Sequence, residues 1–334
     1  MAGGPGTDGF SYWYYQPVAG PSIAFAIVFA LSGALHIYQN MIKHRTYRLG
    51  FLLPWAGIIF TGGFITREIG ARGSYGNLDI YIPSSVLLFC APPVYMGANC
   101  FILGRTLYYI PWLSPMHPGR VVSTFIGIDV LIEILAGNGA ALSANMGNSE
   151  STINTGVNMV KASLLLQLAL FVMLVTVIAI FQYRCSKAGV FKRNVRTLLI
   201  TLYVSCILIF IRNVFRIVEF FQGWGQGVNK HEAYFWCFEV IPMFINTALM
   251  NVLPPASNVP SSYKIYLARD GQTELRGPGW VDKRNFIVTI LDPFDIGGLI
   301  RGSDKKTMFW EEDGIEPMDL SVRQNVKPGS PGSV

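Results

Sequence analysis

Ionisable side chains interrupt stretches of the sequence that are otherwise apolar enough to cross a membrane. They are Asp129, Glu133, Arg212, Arg216, Glu219 and Glu239. Since a charge inside a bilayer is costly, each of them is a candidate for ligand binding or proton transfer. Spacings of three and four residues bring Arg212, Arg216 and Glu219 to one face of a helix. A spacing of four does the same for the two earlier acids, Asp129 and Glu133.

Composition identifies the elements that must position these groups. Hydrophobic residues make up 51% of the 334 positions and charged residues 14%, whereas soluble domains carry roughly 25% charged residues. A membrane-spanning helix needs about 20 mostly apolar residues. Seven stretches qualify: 22–42, 50–69, 78–103, 121–146, 157–183, 195–221 and 232–253. We therefore predict an all-α, polytopic membrane protein, a bundle of seven transmembrane helices.

The distribution of basic residues predicts how the helices are oriented. The first, third and fifth loops carry three, two and five Lys or Arg residues, whereas the first 20 residues carry none. Arg72 and Lys230 lie in the even loops, with Arg67 at the edge of one. Because basic loops stay in the cytoplasm, we expect the N-terminus outside and the C-terminus inside. The predicted divisions are an extracellular segment (1–20), the seven-helix domain (21–253) and a largely disordered cytoplasmic tail (254–334).

Helix geometry predicts the depth of the charges. At about 1.5 Å per residue, Arg216 and Arg212 lie about 8 and 14 Å below the outer end of their helix, and Glu239 lies about 10 Å deep in the next. They share a layer of the outer leaflet, so Arg–Glu pairing between helices is expected. Asp129 and Glu133 lie deeper, and four acids against two arginines leave surplus negative charge. Two interpretations stay open: a polar cluster that holds three helices in register, and a hydrated cavity that binds a polar or cationic head group.

Several kinds of chemistry find no support in the sequence. The four histidines are scattered, so we expect no metal site. The predicted helix 232–253 contains no lysine, which excludes a retinal Schiff base. No GxxxxGK[ST] motif supports direct ATP drive. We expect a protein that is not an enzyme, holds no cofactor and binds no nucleic acid, because its basic residues are explained by topology.

Two groups of residues shape the predicted third and fourth helices. Pro92 and Pro93 fall in the middle of the third helix, where they produce either a static bend or a hinge. Both possibilities stay open. The fourth helix carries small residues that permit close helix packing. They are Gly137, Gly139, Ala140 and Ala141.

The run 211–223 resembles the signature of the fungal RTA-like family, whose members are also called lipid-translocating exporters. The family pattern is an Arg, then Phe-Arg, two apolar residues, a Glu and a following Gly. It is matched by Arg212, Phe215, Arg216, Glu219 and Gly223. The similarity continues through Glu232, Tyr234, Phe235, Glu239, Pro242 and Met243. One departure is Glu239, which stands where the family usually has an Asp.

The resemblance implies a multi-pass protein, expected in the plasma membrane, that exports or flips amphiphilic lipids such as sphingoid long-chain bases and gives resistance to toxic amphiphiles. A sphingoid base is a cationic amphiphile, which suits the surplus negative charge. On this interpretation, four acids bind the head group or couple protons while two arginines order the cavity. The acids are Asp129, Glu133, Glu219 and Glu239, and the arginines are Arg212 and Arg216. The alternative is a seven-helix, receptor-like sensor of lipid or stress that signals through its cytoplasmic loops and tail.

Overall fold

The computed structural model describes residues 11–277, except 14, 45–50, 75, 145–146, 191, 223–226, 261 and 263, together with residue 288. Its α-helices are α1 (Pro21–Ile37), α2 (Leu52–Ile69), α3 (Leu78–Tyr109), α4 (Pro118–Ala144), α5 (Glu150–Lys187), α6 (Arg193–Gln222), α7 (Glu232–Phe235) and α8 (Ile241–Val252). π-Helical turns extend α1 (Tyr38–Lys43) and α2 (Gly70–Ser74). A third π-helical turn, Trp236–Val240, joins α7 to α8, and we call this continuous element the α7–α8 rod.

Within the described residues, six helical segments are long and apolar enough to cross a membrane. They are Pro21–Lys43, Leu78–Tyr109, Pro118–Ser143, Glu150–Lys187, Arg193–Gln222 and Glu232–Ser257. Large apolar side chains such as Leu31 (66% exposed), Leu131 (59%) and Ile207 (58%) face outward from the bundle. A water-soluble protein rarely leaves so much apolar surface bare. The chain is therefore a polytopic helical membrane protein.

The second predicted span corresponds to α2, which is not among these six segments. It has 18 residues and carries Arg67 and Glu68 near its end. The count of seven spans therefore stays a prediction.

The helices form a closed bundle around α3. Helices α1 to α6 pack against one another in chain order, and the α7–α8 rod returns between α6 and α1. Helix α3 also packs against α6 and is the most buried of the candidate spans. Stacked aromatic rings fill the space between α1 and α2, with the Phe29 and Phe60 centroids 4.4 Å apart. This arrangement brings α3, α6 and the rod together at the predicted site.

The small residues of α4 divide between two roles. Gly139 faces Gly156 of α5 so closely that a Cβ on Gly156 would lie 2.7 Å from the Gly139 carbonyl oxygen and 2.7 Å from the Ser143 nitrogen. A Cβ on Gly137, by contrast, would meet nothing within 4 Å. Gly137, Ala140 and Ala141 line a cavity. Close helix packing was predicted for all four small residues of α4. The sequence does not show which side of a helix has a neighbouring helix.

A short antiparallel hairpin lies at the opposite end of the bundle from residues 11–20. It pairs β1 (Ile265–Leu267) with β2 (Glu274–Arg276), and we call it the tail hairpin. The Trp112 indole donates to the Leu267 carbonyl at 3.0 Å, and Lys192 Nζ donates to the Gln272 carbonyl at 2.7 Å. Disorder was predicted for most of this tail. Residues 278–334, apart from 288, lie outside the described residues.

We predict that Gly156→Ala destabilises the bundle because its new methyl group would meet rigid backbone atoms of α4. The cost of overpacking is about 1–3 kcal/mol, which corresponds to a fall of several degrees in the thermal midpoint. Gly137→Ala is the matched control, since its methyl group enters open space and alanine favours a helix by about 1 kcal/mol. Thermal unfolding of both variants in detergent checks this, and equal midpoints would contradict it.

Candidate functional site

A cavity of about 580 Å³ lies between α3, α4 and α6. Most of its wall is apolar and comes from residues such as Leu88, Phe89, Ala136, Val160 and Phe220. Three charged side chains also line it: Arg67, Arg216 and Glu219. Apolar walls with a few polar groups are typical of sites that bind small amphiphilic ligands.

Beside this cavity, four of the predicted site residues form one group of ion pairs, which we call the charge cluster: Arg212, Arg216, Glu219 and Glu239. The Glu239 carboxylate bridges both arginines, with Oε1 3.2 Å from Arg212 Nε and Oε2 2.5 Å from Arg216 Nε. Arg216 Nη1 also donates to Glu219 at 2.8 Å. The predicted pairing of arginine and glutamate across neighbouring helices is therefore present. Two positive and two negative charges balance within the cluster.

The local structure of both helices explains how the charge cluster is assembled. Arg212, Arg216 and Glu219 lie on one face of α6, as their spacing predicts. Glu239 lies in the π-helical turn Trp236–Val240, three residues before Pro242. Such turns add a residue to a helix and are frequent at functional sites. The turn sets the direction in which Glu239 leaves the rod toward α6.

Arg212 is fully buried and its guanidinium is held by three acceptors. Besides Glu239, Nη1 donates to Asn213 Oδ1 at 3.3 Å and Nη2 donates to the Phe89 carbonyl at 3.0 Å. The Phe89 ring lies 5.2 Å from the Arg212 guanidinium carbon and 5.7 Å from that of Arg216. Removing one partner of a buried ion pair costs about 3–5 kcal/mol. The charge cluster therefore ties α3 and α6 to the α7–α8 rod.

The two acids of α4 lie apart from the charge cluster and do not line the cavity. Glu133 accepts a hydrogen bond from the Gln167 amide and is near enough to Arg212 for their charges to interact. Asp129 is buried, and its Oδ1 has no hydrogen-bond partner among the described residues. Of the six predicted site residues, only Arg216 and Glu219 contribute to the cavity wall. No group of three His, Cys, Asp or Glu residues in the described chain is arranged to hold a metal ion.

A second charged layer, which the sequence did not predict, closes the same end of the bundle. Arg67 pairs with Glu232 at 2.9 Å, and its guanidinium carbon lies 4.2 Å from the Phe235 ring centroid and 5.5 Å from that of Trp236. Arg67 is only 2% exposed. The signal in the sequence is the Arg67-Glu68 pair at the end of an apolar helix, where Arg67 was interpreted as a charge at the edge of a loop.

Residues 11–13 and 15–20, which we call the N-terminal segment, lie across the mouth of the cavity. Tyr12, Trp13 and Tyr15 line the cavity from this side. The Val18 N–H donates to Glu232 at 2.8 Å, and the Gly20 N–H donates to Glu68 at 3.0 Å. Arg67 donates to the Tyr15 hydroxyl at 2.9 Å, and burial raises the pKa of Tyr15 despite this nearby cation. The segment is therefore held by the second charged layer.

Trp13 is the anchor of the N-terminal segment. Its indole is 7% exposed and makes an edge contact with Tyr81, with centroids 5.1 Å apart. It also fits against Gly70, where any Cβ would overlap the indole ring. Glycine at position 70 is thus required for the tryptophan to seat.

Comparison with known proteins gives consistent matches. Residues 54–262 match the family model described as RTA1 like protein. The lipid-translocating exporter-like protein RTA1 of Leptosphaeria maculans is 37% identical over 80% of this chain and 55% of its own length. The protein of the same name from Ajellomyces capsulatus is 32% identical over 81% of this chain and 89% of its own. Protein RTA1 of Saccharomyces cerevisiae is 29% identical over 75% of this chain and 87% of its own. No solved structure matches the chain significantly.

We predict that Gly70→Ala opens the cavity by displacing Trp13. Cys90 lines the cavity, and the exposed Cys237 can be replaced by serine to remove its background. In that background, a positively charged methanethiosulfonate reagent should label Cys90 about tenfold faster in Gly70→Ala, a shift of ~1.4 kcal/mol in the opening equilibrium.

Gly62→Ala is the control for this experiment. It adds the same methyl group to α2, where the new Cβ would meet only Leu87 Cδ1, at 3.4 Å. Its Cys90 labelling rate should match that of the parent. Equal rates in both glycine variants would show that Trp13 does not close the cavity.

Proposed function

Because the chain belongs to the RTA1-like family, we propose that it is a transporter of membrane lipids that exports or flips amphiphilic molecules. The family match confirms the resemblance of the run 211–223 to the signature of the RTA-like family. The relatives are named as lipid-translocating exporter-like proteins rather than as enzymes. The observation that carries the proposal is the apolar cavity that ends against the Arg216–Glu219 ion pair. The chain spans 55% of the length of the Leptosphaeria relative. A function of that whole protein is therefore only proposed for this chain.

The cavity offers a separate environment to each part of an amphiphile. The apolar side chains of α3 and α4 would surround an acyl or alkyl chain, since burial of apolar surface is favourable at about 25 cal/mol per Å². Arg216 and Glu219 would contact the head group, because both reach the cavity wall and are partly exposed there (12% and 20%). The Phe89 ring beside them adds an aromatic face for a cationic head group.

We further propose a sphingoid long-chain base as the substrate, with resistance to toxic amphiphiles as the cellular result. Its ammonium group would pair with Glu219, whose only hydrogen-bonded cation among the described residues is Arg216. Glu239 and the α4 acids Asp129 and Glu133 are proposed as proton-coupling groups. Arg212 would keep the cluster in order, since it is fully buried and contacts α3, α6 and the rod.

The proposal includes a topology of seven spans in the plasma membrane, with the N-terminus outside. The N-terminal segment and Glu232 meet at one end of the bundle. The tail hairpin contacts Trp112 and Lys192 at the other end, where the basic loops lie. This arrangement supports entry or release of lipid at the outer side, because the cavity mouth is at the N-terminal end.

A receptor-like sensor of lipid or stress is the second candidate, and the tail hairpin favours it. Tyr109 at the end of α3 contacts Glu274 of β2 at 2.9 Å, and α3 also lines the cavity. A ligand that shifted α3 would therefore move the start of the tail. The two functions differ in whether lipid crosses the membrane.

Purified protein in liposomes tests transport directly. A fluorescent sphingoid base should change leaflet faster than in empty vesicles, and Glu219→Gln should slow it about tenfold, since a hydrogen bond to a charged group contributes about 1.5–3 kcal/mol. Glu150→Gln, on the exposed first turn of α5, should transport like the parent. Binding without faster movement would favour the sensor, and equal losses for cationic and neutral lipids would contradict the role of Glu219.

Epitope tags at the two termini test the topology. In intact cells, an N-terminal tag should bind antibody from outside, whereas a C-terminal tag should bind it only after permeabilisation. The same external accessibility at both ends would indicate an even number of spans and contradict the count of seven.

A further inference from the structure

The contact between Arg212 and the backbone of α3 points to a role for one particular proline. In a helix, the carbonyl of residue i accepts the N–H of residue i+4. The acceptor of the Arg212 bond, Phe89, is four residues before Pro93, which has no N–H. The missing helix bond and the Arg212 bond therefore concern the same carbonyl oxygen.

We propose that Pro93 is a positioning residue for the charge cluster, because it frees the Phe89 carbonyl that holds Arg212. The ring of a proline also presses on the carbonyl four residues earlier and tilts it away from the helix axis. Helix α3 nevertheless continues as an α-helix through Pro93, from Leu78 to Tyr109. The free carbonyl is thus available without breaking the helix that lines the cavity.

Arg212 needs such an acceptor because its side chain has no access to solvent. Its five N–H groups must find partners within the protein, and the exposed fraction of its side chain is 0%. A second carboxylate would add charge to a balanced cluster, whereas a backbone carbonyl satisfies an N–H without adding any. In the bilayer the freed carbonyl needs a donor as well. The Arg212 guanidinium and the Phe89 carbonyl therefore satisfy each other's need for a hydrogen-bond partner.

The neighbouring Pro92 provides a matched comparison within the same turn. It frees the carbonyl of Leu88, which accepts no hydrogen bond from a side chain in the described part of the chain. Both prolines weaken α3 in the same way, so replacing either by alanine restores one helix bond. They differ in that the Phe89 carbonyl already has Arg212 as a partner, and in that Pro92 is buried whereas Pro93 is partly exposed.

The test compares Pro93→Ala with Pro92→Ala by two measurements. Pro92→Ala should raise the thermal midpoint in detergent, and Pro93→Ala should lie about 3 °C or more below it because the new N–H competes with Arg212. The Kd for a fluorescent sphingoid base should rise about tenfold in Pro93→Ala (~1.4 kcal/mol) and stay within about twofold in Pro92→Ala. The binding result rests on the proposed function, whereas the thermal result does not.

A double-mutant cycle separates positioning from a general effect on α3. Arg212→Lys keeps the positive charge near Glu239 but lacks the planar fork that reaches several acceptors at once. In the Arg212→Lys background, the thermal midpoint of Pro93→Ala should rise relative to that of Pro92→Ala by about the 3 °C deficit expected in the native background. The proposal fails if the two alanine variants already behave alike in the native background, or if the difference between them is unchanged without Arg212. A parent protein that binds no sphingoid base would overturn the proposed function alone.

Discussion

The structure depends on the partners of one buried carboxylate, that of Glu239. It lies in the membrane domain with 1% of its side chain exposed, where an unpaired charge would be strongly unfavourable. Arg212 and Arg216 both reach it from α6. Because the arginines extend from α6 and the carboxylate extends from the α7–α8 rod, these ion pairs hold the two elements together at one level. The ion pairs therefore define the geometry of the cavity beside them.

The same requirement explains features of the surrounding helices that packing alone does not. The π-helical turn carries Glu239 on the rod, and the Phe89 carbonyl of α3 receives the remaining donors of Arg212. Arg216 faces the cavity while Arg212 is enclosed behind it. One arginine is thus enclosed within the protein and the other lines the cavity. The ion pairs that join α6 to the rod suit a polar cluster that holds helices in register, and the binding of a head group stays a proposal.

The second charged layer also pairs buried charges from different helices, but it lies nearer the end of the bundle. Arg67 and Glu232 meet beneath the N-terminal segment, whose backbone N–H groups donate to Glu232 and Glu68. The aromatic rings of Phe235 and Trp236 lie within 5.5 Å of the Arg67 guanidinium carbon. Because this layer holds the segment that covers the cavity, access to the cavity and the pairing of these charges are linked.

The sequence by itself determined a helical membrane protein, its family and the shared face of Arg212, Arg216 and Glu219, because hydropathy and helical period are properties of local sequence. Helix depth also predicted that Arg212 or Arg216 would pair with Glu239, whereas only the tertiary structure revealed the second charged layer. Arg67 and Glu232 are 165 positions apart in the chain, and no local pattern predicts their contact. The tertiary structure also separated Gly139, which packs on α5, from Gly137, which opens on the cavity. Both glycines have the same helical propensity, and only the neighbouring helix distinguishes them.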